Sequence, residues 1–409
     1  MEYIGITNEN DFYSQHYLDE IFEGDVADLL KNEAAKVKAI DAEIKEAKKK
    51  GLEGPKSYKT VWDRLSALSK FYIQNLYDLE TIKDEDELLS LEKDLYKKIL
   101  DALGFSPFDD NAYYEFTLGD SGLHLPLVKE IKSLNGTPYL WIFHATTLGG
   151  PKDLSSKEEI DPLELTVPIH QVLNFFPDYK GAAKELSSKT WREILEKGVF
   201  SEEYTPRWII LVSPYQWVLI EKTKFAQRRF LRFNWQLLLS RRENHVLQAA
   251  SILIDINAFK QNEGVCRLEM FDENSFKHAQ GVSQDLKYAM RRSIELLGNE
   301  AISQIRLKRK QDRKGFFSDK TIANELSSEL LRYMYRLLFI FYVEARPELN
   351  YVPNRDDNYQ TSYSLESLRE LESVPLISKE DREGKYFHKT ISTRVSENYF
   401  SKIWLRNAL

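Results

Sequence analysis

Basic residues in two stretches of this sequence are spaced so that they could contact a phosphate backbone. The first stretch interleaves aromatic residues with seven basic ones, which are Lys222, Lys224, Arg228, Arg229, Arg232, Arg241 and Arg242. Cationic side chains bind phosphates and aromatic rings stack on unpaired bases, so this mixture is typical of a nucleic-acid surface. A strand followed by a helix gives the same pattern, with aromatics in a core and arginines in solvent. Both interpretations remain open.

The second basic stretch, from Arg306 to Lys314, contains six basic residues and one acid. It fits a solvated helix end, where cations complement the C-terminal dipole, and it also fits a contact with a DNA backbone. Because phosphate contacts position a protein without identifying bases, neither stretch predicts sequence-specific reading. The predicted DNA-binding residues are Arg228, Arg229, Arg232, Arg306, Lys308, Arg309, Lys310, Arg313 and Lys314.

The composition excludes several classes of protein. The chain has 409 residues, 42% of them hydrophobic and 30% charged, which is ordinary for a globular protein of two or three units. Its single cysteine, Cys266, excludes an intrachain disulfide, and its seven histidines show no zinc-ligand spacing. No secretory signal opens the sequence, so we expect a cytoplasmic protein. The net charge of −7 argues against a uniformly basic surface but allows a local basic groove.

Hydrophobic periodicity predicts a helical start, a mixed centre and a helical end. The first helices are predicted at residues 11–23, 26–50, 61–79 and 86–103. In the centre, strands at 113–118, 123–131, 138–145, 207–212 and 216–221 alternate with helices at 163–176 and 190–197. Further helices are predicted at 243–259, 273–310 with a break near Gly281, 365–371 and from Ser396 onward. The pattern predicts an α+β fold, with one mixed sheet and helices packed against it.

The most hydrophobic predicted helix begins near Glu325 and stops before Pro347. Its apolar residues recur at three- and four-residue steps, so we expect a broad buried face formed by Leu330, Leu331, Met334, Leu337, Leu338, Phe341, Tyr342 and Ala345. Arg336 and Glu344 interrupt the run, which is shorter than the ~20 apolar residues of a membrane span. We therefore expect a core helix and no membrane partner.

Part of this helix also resembles a known family. The segment YRLLFIFYVEARPEL from Tyr335, followed by YSLESLREL from Tyr363, resembles part of the large type IIG-like adenine-specific DNA methyltransferases of restriction-modification and phage-defence systems. In that family the segment lies upstream of the methylase domain. Shorter phrases fit the same region in the same order, and they begin at Asp11, Leu125, Pro138 and Pro206.

The resemblance implies a methylase domain that this sequence does not contain. Such a domain needs a glycine loop for S-adenosylmethionine and an Asn-Pro-Pro-aromatic turn for the flipped adenine. The sequence has no Asn-Pro-Pro, and its Gly149-Gly150-Pro151 lacks the spacing of a cofactor loop. We therefore expect the methylase domain, with its S-adenosylmethionine, to lie beyond Leu409. The expected partners are double-stranded DNA and that downstream domain.

The same family implies a PD-(D/E)xK-type nuclease core before the methylase domain. That chemistry places an Asp and a Glu on neighbouring strands to hold Mg²⁺, with a Lys beside them to polarise the attacking water. Asp120 lies in a predicted hairpin turn, and Glu130 and Lys132 share one face of the next strand. These three are the candidate catalytic residues, with Asp120 and Glu130 as the Mg²⁺ ligands. If instead the third predicted strand, 138–145, occupies the central position of the nuclease sheet, the corresponding triplet is His144-Ala145-Thr146. These residues cannot hold Mg²⁺ and polarise the attacking water.

Three domains and three functional hypotheses follow. The predicted domains are an N-terminal helical segment (1–106), a nuclease-like sheet domain (107–240) and a helical connector (241–409). The leading hypothesis is a DNA-contacting, positioning module that does not transfer methyl groups alone. The second is a Mg²⁺-dependent endonuclease that uses Asp120, Glu130 and Lys132. The third is a protein-interaction scaffold that never binds DNA. His144, on an apolar strand, is predicted to be a core residue with a hydrogen-bond partner.

Overall fold

A computed structural model describes residues 3–108, 113–118, 121–150, 160–175, 180–309, 320–345, 351–353 and 356–365. The chain divides into a first unit, Met1–Val282, and a second unit, Ser283–Leu409. The first unit contains helices and a mixed sheet, so the predicted α+β class is confirmed. Residues of the N-terminal segment and of the sheet share one hydrophobic core, and the three predicted domains stay a prediction.

In the N-terminal part of the first unit, two of the helices begin and end near their predicted positions, at 61–79 and 86–103, whereas the predicted helices 11–23 and 26–50 are not separate, because a π-helical turn at Tyr17–Ile21 runs directly into the first α-helix. The helices of this unit are α1 (Phe22–Lys49), α2 (Val61–Thr81), α3 (Glu85–Ala102), α4 (Ile169–Phe175), α5 (Lys180–Ser187), α6 (Trp191–Glu193), α7 (Lys222–Phe225), α8 (Trp235–Arg241) and α9 (Asn244–Ile254). Thr60 begins α2 with a capping box to Asp63, and Asp84 caps α3. Gly104 follows α3 with a φ of +91°, a left-handed conformation that glycine adopts without strain.

Eight strands are described, six of them in one sheet with the order β1-β8-β7-β6-β5-β4. The strands are β1 (Ile6–Glu9), β2 (Tyr113–Leu118), β3 (Ser121–Pro126), β4 (Lys129–Lys132), β5 (Pro138–His144), β6 (Trp208–Val212), β7 (Gln216–Glu221) and β8 (Phe230–Asn234). Neighbours in the large sheet are antiparallel except β5 and β6, which are parallel and joined by a crossover through α4, α5 and α6. Strands β2 and β3 form a separate hairpin.

Both faces of the large sheet are covered, as the apolar character of its strands requires. Alternate residues of β5 and β6, such as Leu140 and Ile210, enter a core with α2, α3, α8 and α9. The residues between them, such as Phe143 and Ile209, enter a second core with α5, α6 and the segment around Leu163. The sheet is therefore the middle of three layers, and each of its two faces has its own hydrophobic core.

Three further sequence expectations need correction in the first unit. The N-terminal strand β1 was not expected; it pairs with β8, in the register of Ile6 with Phe233. The predicted strand 123–131 is two strands, β3 and β4, because the chain leaves the hairpin at Pro126 and joins the large sheet at Lys129. Helix α10 (Arg267–Arg309) is continuous through Gly281, where a break was predicted.

The second unit contains the C-terminal part of α10 together with α11 (Lys320–Glu344) and α12 (Asp357–Ser362). Gly298 of α10 lies against α11, since a Cβ at this position would be 3.2 Å from Leu330 Cδ1. The predicted helices at 365–371 and from Ser396 onward lie outside the described residues, apart from Leu365. No helix in the described ranges is long and apolar enough to cross a membrane.

The expectation that the apolar face of α11 is buried is wrong for most of that face. Met334 is buried, but Leu331, Phe341 and Tyr342 are each more than 40% exposed. Tyr335 and Phe339, beside them, are exposed by 67% and 63%. The physical reason is that no described element covers this side of the helix, although periodicity correctly predicted that the helix itself would form.

Candidate functional site

Buried polar side chains gather where the parallel strands β5 and β6 end. Such carboxyl ends of parallel strands are common places for functional groups in sheets with helical crossovers. Here Ala145 N donates to Val212 O at 2.8 Å, which continues the pairing to the edge. The buried polar residues at or beside this edge are Glu92, His144, Thr146, Thr147, Gln171 and Ser213.

Glu92 is at the centre of this cluster and is completely buried. Its Oε2 lies 2.9 Å from His144 Nε2. Its Oε1 accepts from Thr147 N at 3.1 Å and also from the Thr147 hydroxyl. A buried carboxylate needs such partners because it has lost its hydration, and here the end of β5 and the residues after it supply them all.

Helix α3 places Glu92 against the sheet. Leu88, Leu95 and Ile99 form its apolar stripe, and Glu92 occupies the position four residues after Leu88 in that same stripe. One turn further on, the ring of Tyr96 lies against the His144 imidazole, with 4.7 Å between ring centroids. The acid is therefore carried into the core by the packing of the helix.

Backbone contacts close the other side of the cluster. Gln171 of α4 donates from Nε2 to His144 O at 3.3 Å, while its buried Oε1 has no hydrogen-bond partner among the described residues. Gly149 O accepts from Thr166 N and from the Thr166 hydroxyl, both at 3.1 Å. A Cβ at Gly149 would lie 1.9 Å from Thr166 O, so only glycine allows this approach.

The cluster is a sealed acid–imidazole pair. His144 is only 7% exposed and Glu92 is not exposed at all, so a phosphodiester cannot reach either group in this conformation. Within the described ranges, no three His, Cys, Asp or Glu side chains come together as a metal site would require. What the arrangement does physically is fix the end of β5 to α3. The prediction that His144 is a core residue with a partner is confirmed.

The predicted nuclease residues lie elsewhere on the sheet. Glu130 and Lys132 are on β4, the edge strand, and Lys132 Nζ is 3.7 Å from Glu130 Oε2. Trp141 Nε1 also donates to Glu130 Oε1 at 3.1 Å. The pairing register shifts between Ile131 and Lys132. Asp120 lies outside the described residues, so the proposed Mg²⁺ pair of Asp120 and Glu130 stays a prediction.

Glu130 and Glu92 are on opposite faces of the sheet. Glu130 pairs with Trp141, whose side chain enters the core on the α5 and α6 side. His144, three residues later on β5, points to the α3 side, because successive strand residues alternate. The buried acid therefore cannot complete a site with Glu130 and Lys132.

Arg232, a predicted DNA-binding residue, is held by carboxylates in this structure. Its Nη1 and Nη2 donate to the two oxygens of Asp161 at 2.7 Å each, and its Nε donates to Glu9 at 3.1 Å. Burial alone would lower the pKa of Arg232, but Asp161 and Glu9 raise it above its usual value. A bidentate contact of this kind joins β8 to the segment before α4 and leaves little of the guanidinium for a phosphate.

Lys224 is also committed to the fold. Its Nζ donates to Phe12 O at 2.7 Å and to Asp272, and it lies 4.1 Å from the centroid of the Phe12 ring. Burial lowers the pKa of Lys224, against the opposing effect of Asp272. The interpretation with aromatics in the core therefore describes this part of the basic stretch, since Phe225, Phe230 and Phe233 are buried.

Arg228 and Arg229 remain as candidate phosphate contacts in the turn between α7 and β8. Arg228 is exposed and has a φ of +57°, and its carbonyl accepts from Asn10 Nδ2 at 2.9 Å. Arg229 is half-buried. The last turn of α10 contains Arg306, Lys308 and Arg309, whose side chains the structure does not describe. The remaining three, Lys310, Arg313 and Lys314, lie outside the described residues. All these predicted contacts stay predictions.

Sequence reasoning missed Glu92, although a signal for it existed. A charged residue on the apolar face of an amphipathic helix, such as Glu92 on the face of Leu88 and Leu95, either pairs with a polar group in the core or stays in solvent. Comparison with known proteins adds no assignment, because no protein-family model, curated protein or solved structure matches this chain.

Proposed function

We propose that this chain is a DNA-associated positioning module of a larger adenine-specific DNA methyltransferase of a restriction-modification or phage-defence system, with a nuclease-like sheet that does not cut DNA. The proposal that the sheet does not cut DNA rests on a single observation, which is that the C-terminal end of β5 is buried. Glu92 and His144 occupy it as a buried pair, and no described carboxylate pair with a lysine is open to solvent there.

The mixed sheet supports the nuclease-like part of the proposal. The antiparallel strands β4 and β5, a helical crossover and then the parallel strand β6 form a scaffold on which neighbouring strands could carry the acids of a PD-(D/E)xK site. In this chain β5, the second strand of that series, ends at His144 and is followed by Ala145 and Thr146, and the His144 imidazole contacts Glu92. S-adenosylmethionine and methyl transfer belong, in this proposal, to a separate methylase domain.

The DNA contact is assigned to Arg228 and Arg229 and to the basic stretch from Arg306 to Lys314. Counterion release makes such binding steeply salt-dependent, and each lost phosphate contact lowers the salt slope by about one. We expect the purified chain to bind a duplex with a linear decrease of log affinity against log salt.

The test compares two double variants with the same change of charge. Arg228→Glu with Arg229→Glu should weaken duplex binding by about tenfold or more and reduce the salt slope. The control, Lys45→Glu with Lys48→Glu on the exposed side of α1, should change binding much less. Fluorescence anisotropy with a labelled duplex measures both. Undetectable or salt-insensitive binding would leave the protein-interaction scaffold as the better hypothesis.

The rival function is a Mg²⁺-dependent endonuclease, which the proximity of Lys132 and Glu130 on β4 favours. The same protein is incubated with supercoiled plasmid and Mg²⁺, beside a Lys132→Ala variant and an EDTA control. The proposal predicts no cleavage above background for either protein. Cleavage that is lost in Lys132→Ala and in EDTA would replace the positioning module with the nuclease.

A further inference from the structure

Helix α7 ends in a turn that carries an arginine where glycine is usual. Arg228 N donates to Phe225 O at 2.8 Å and Arg229 N donates to Lys224 O at 3.2 Å, which is the hydrogen-bond pattern of a Schellman motif. In this motif the residue at the position of Arg228 has a left-handed backbone, and it is most often glycine. Arg228 has a φ of +57°, so a long cationic side chain stands where the backbone alone favours glycine.

A second loop with left-handed residues meets this turn. Just after β1, Asn10 and Asp11 have φ values of +49° and +58°, and both residues are exposed. Asn10 Nδ2 donates to Arg228 O at 2.9 Å, and Phe12 O accepts from Lys224 Nζ at 2.7 Å. Phe12 is buried, so it anchors its loop in the core. Because the two loops are joined at two points, the position of one relative to the other is fixed.

The two guanidinium groups on this turn differ from the neighbouring cations in their partners. Arg232 and Lys224 are each held by acids. Among the residues that the structure describes, no carboxylate forms an ion pair with Arg228 or Arg229. Burial lowers the pKa of Lys224 most, and the positive charge of Arg229 lowers it further, so these two cations lie close together. A phosphate beside the turn would therefore meet positive charge that is not neutralised.

We propose that Arg228 binds one phosphate of a DNA duplex and that Asn10 is the positioning residue that fixes the turn carrying it. This inference rests on the proposed DNA-associated function, and it adds the residue that holds the contact in place. Non-glycine residues in left-handed conformations cost free energy and are concentrated at ligand-binding sites. The side chain of Asn10 contacts the backbone of Arg228, whose own side chain stays exposed, so Asn10 acts through Arg228.

Glycine at position 228 tests the phosphate contact, because glycine removes the guanidinium and keeps the left-handed turn. Arg228→Gly should weaken binding of a labelled duplex to the full-length chain by about fivefold and lower the salt slope by about one, as expected for one lost phosphate contact. Its melting temperature should not fall, because glycine adopts this conformation without strain. Fluorescence anisotropy at several salt concentrations measures the binding, and thermal denaturation measures the stability.

Arg242→Gly is the matched control. Arg242 is also an exposed arginine at the end of a short helix, and its φ is +54°. The substitution makes the same change of charge in the same backbone conformation, so it should leave the affinity and the salt slope unchanged. If Arg228→Gly lowers the melting temperature, Arg228→Asn repeats the test, because asparagine also tolerates a left-handed backbone.

A double-mutant cycle tests the role of Asn10. Asn10→Gly keeps the left-handed backbone and removes the hydrogen bond to Arg228 O. The change should weaken duplex binding by about threefold in the wild-type chain, as the loss of one hydrogen bond would. In the Arg228→Gly chain it should have no effect, because the side chain that Asn10 positions is then absent. A merely structural role would give the same loss in both chains.

Each contrary result overturns the inference in its own way. Duplex binding that Arg228→Gly leaves unchanged would remove this contact and leave the proposed function in place. Equal weakening by Arg228→Gly and Arg242→Gly would show a general effect of charge. Equal losses from Asn10→Gly in both chains would show that Asn10 does not act through Arg228. A wild-type chain that does not bind the duplex would refute the proposed function, and this inference with it.

Discussion

Replacement of Glu92 by leucine tests whether the acid–imidazole pair holds the end of β5. The carboxylate accepts hydrogen bonds from His144 and from two groups of Thr147, and Glu92 is completely buried. Leucine fits an apolar stripe but leaves three buried polar groups without their acceptor. Each such group costs roughly 1–3 kcal/mol, and removal of one partner from a buried pair costs about 3–5 kcal/mol in total.

We therefore expect the Glu92→Leu variant to lose about 3–5 kcal/mol of unfolding free energy. Urea denaturation monitored by tryptophan fluorescence measures this, because Trp141, Trp208 and Trp217 are buried on the sheet of the first unit. With a slope of about 3 kcal/mol per molar urea, the midpoint should fall by about 1–1.7 M. Asp94→Leu on the exposed side of α3 is the matched control and should change stability by about 0.5 kcal/mol or less.

A double variant makes the test specific to the pair. If Glu92 and His144 act together, Glu92→Leu with His144→Leu should cost clearly less than the sum of the two single changes, because neither group is then left alone in the core. Additive costs, or a Glu92→Leu variant as stable as Asp94→Leu, would refute the reasoning.

Two further predictions concern single positions. Gly149→Ala should destabilise the first unit by about 3 kcal/mol or more, because its Cβ would lie 1.9 Å from Thr166 O. Gly24→Ala is the control: a Cβ there has no atom within 4 Å, so this change should be neutral or stabilising by up to ~1 kcal/mol. Equal decreases in the melting temperatures of the two variants would contradict this prediction. The lowered pKa of Lys224 means that the folded state releases this proton before the unfolded chain does, so its contribution to stability rises with pH in the interval below 10.5. The stability difference between wild type and Lys224→Met should therefore change in that direction as the pH is raised, and a difference independent of pH would count against the shift.

Local signals predicted the elements whose ends are set by their own sequence. Helices α2 and α3 were predicted within two residues at each end, because the capping box at Thr60 and the glycine after α3 specify their limits locally. The strand β7 was predicted to the residue, since Gln216 to Glu221 is apolar and bounded by a turn and a cap. Such features need no knowledge of the rest of the chain.

Elements that depend on distant partners were harder to predict. Strand β1 has four residues with little apolar character, and only its pairing with β8 makes it a strand. The continuity of α10 at Gly281 overrides a weak helix propensity at one position. The pairing of Glu92 with His144 joins positions 52 residues apart, so no local pattern could reveal which polar group would receive the acid.

The pairing of β1 with β8 has a consequence for synthesis and handling of the protein. Thr7 leaves the ribosome more than two hundred positions before its neighbour Arg232, so the sheet cannot acquire its outer strand until most of the first unit has been translated. An expression clone that starts after Glu9 would leave the backbone of β8 open along its outer side, ready to recruit a strand from another molecule. Aggregation of such a shortened clone would then report a missing strand, not a failure of the remaining chain to fold.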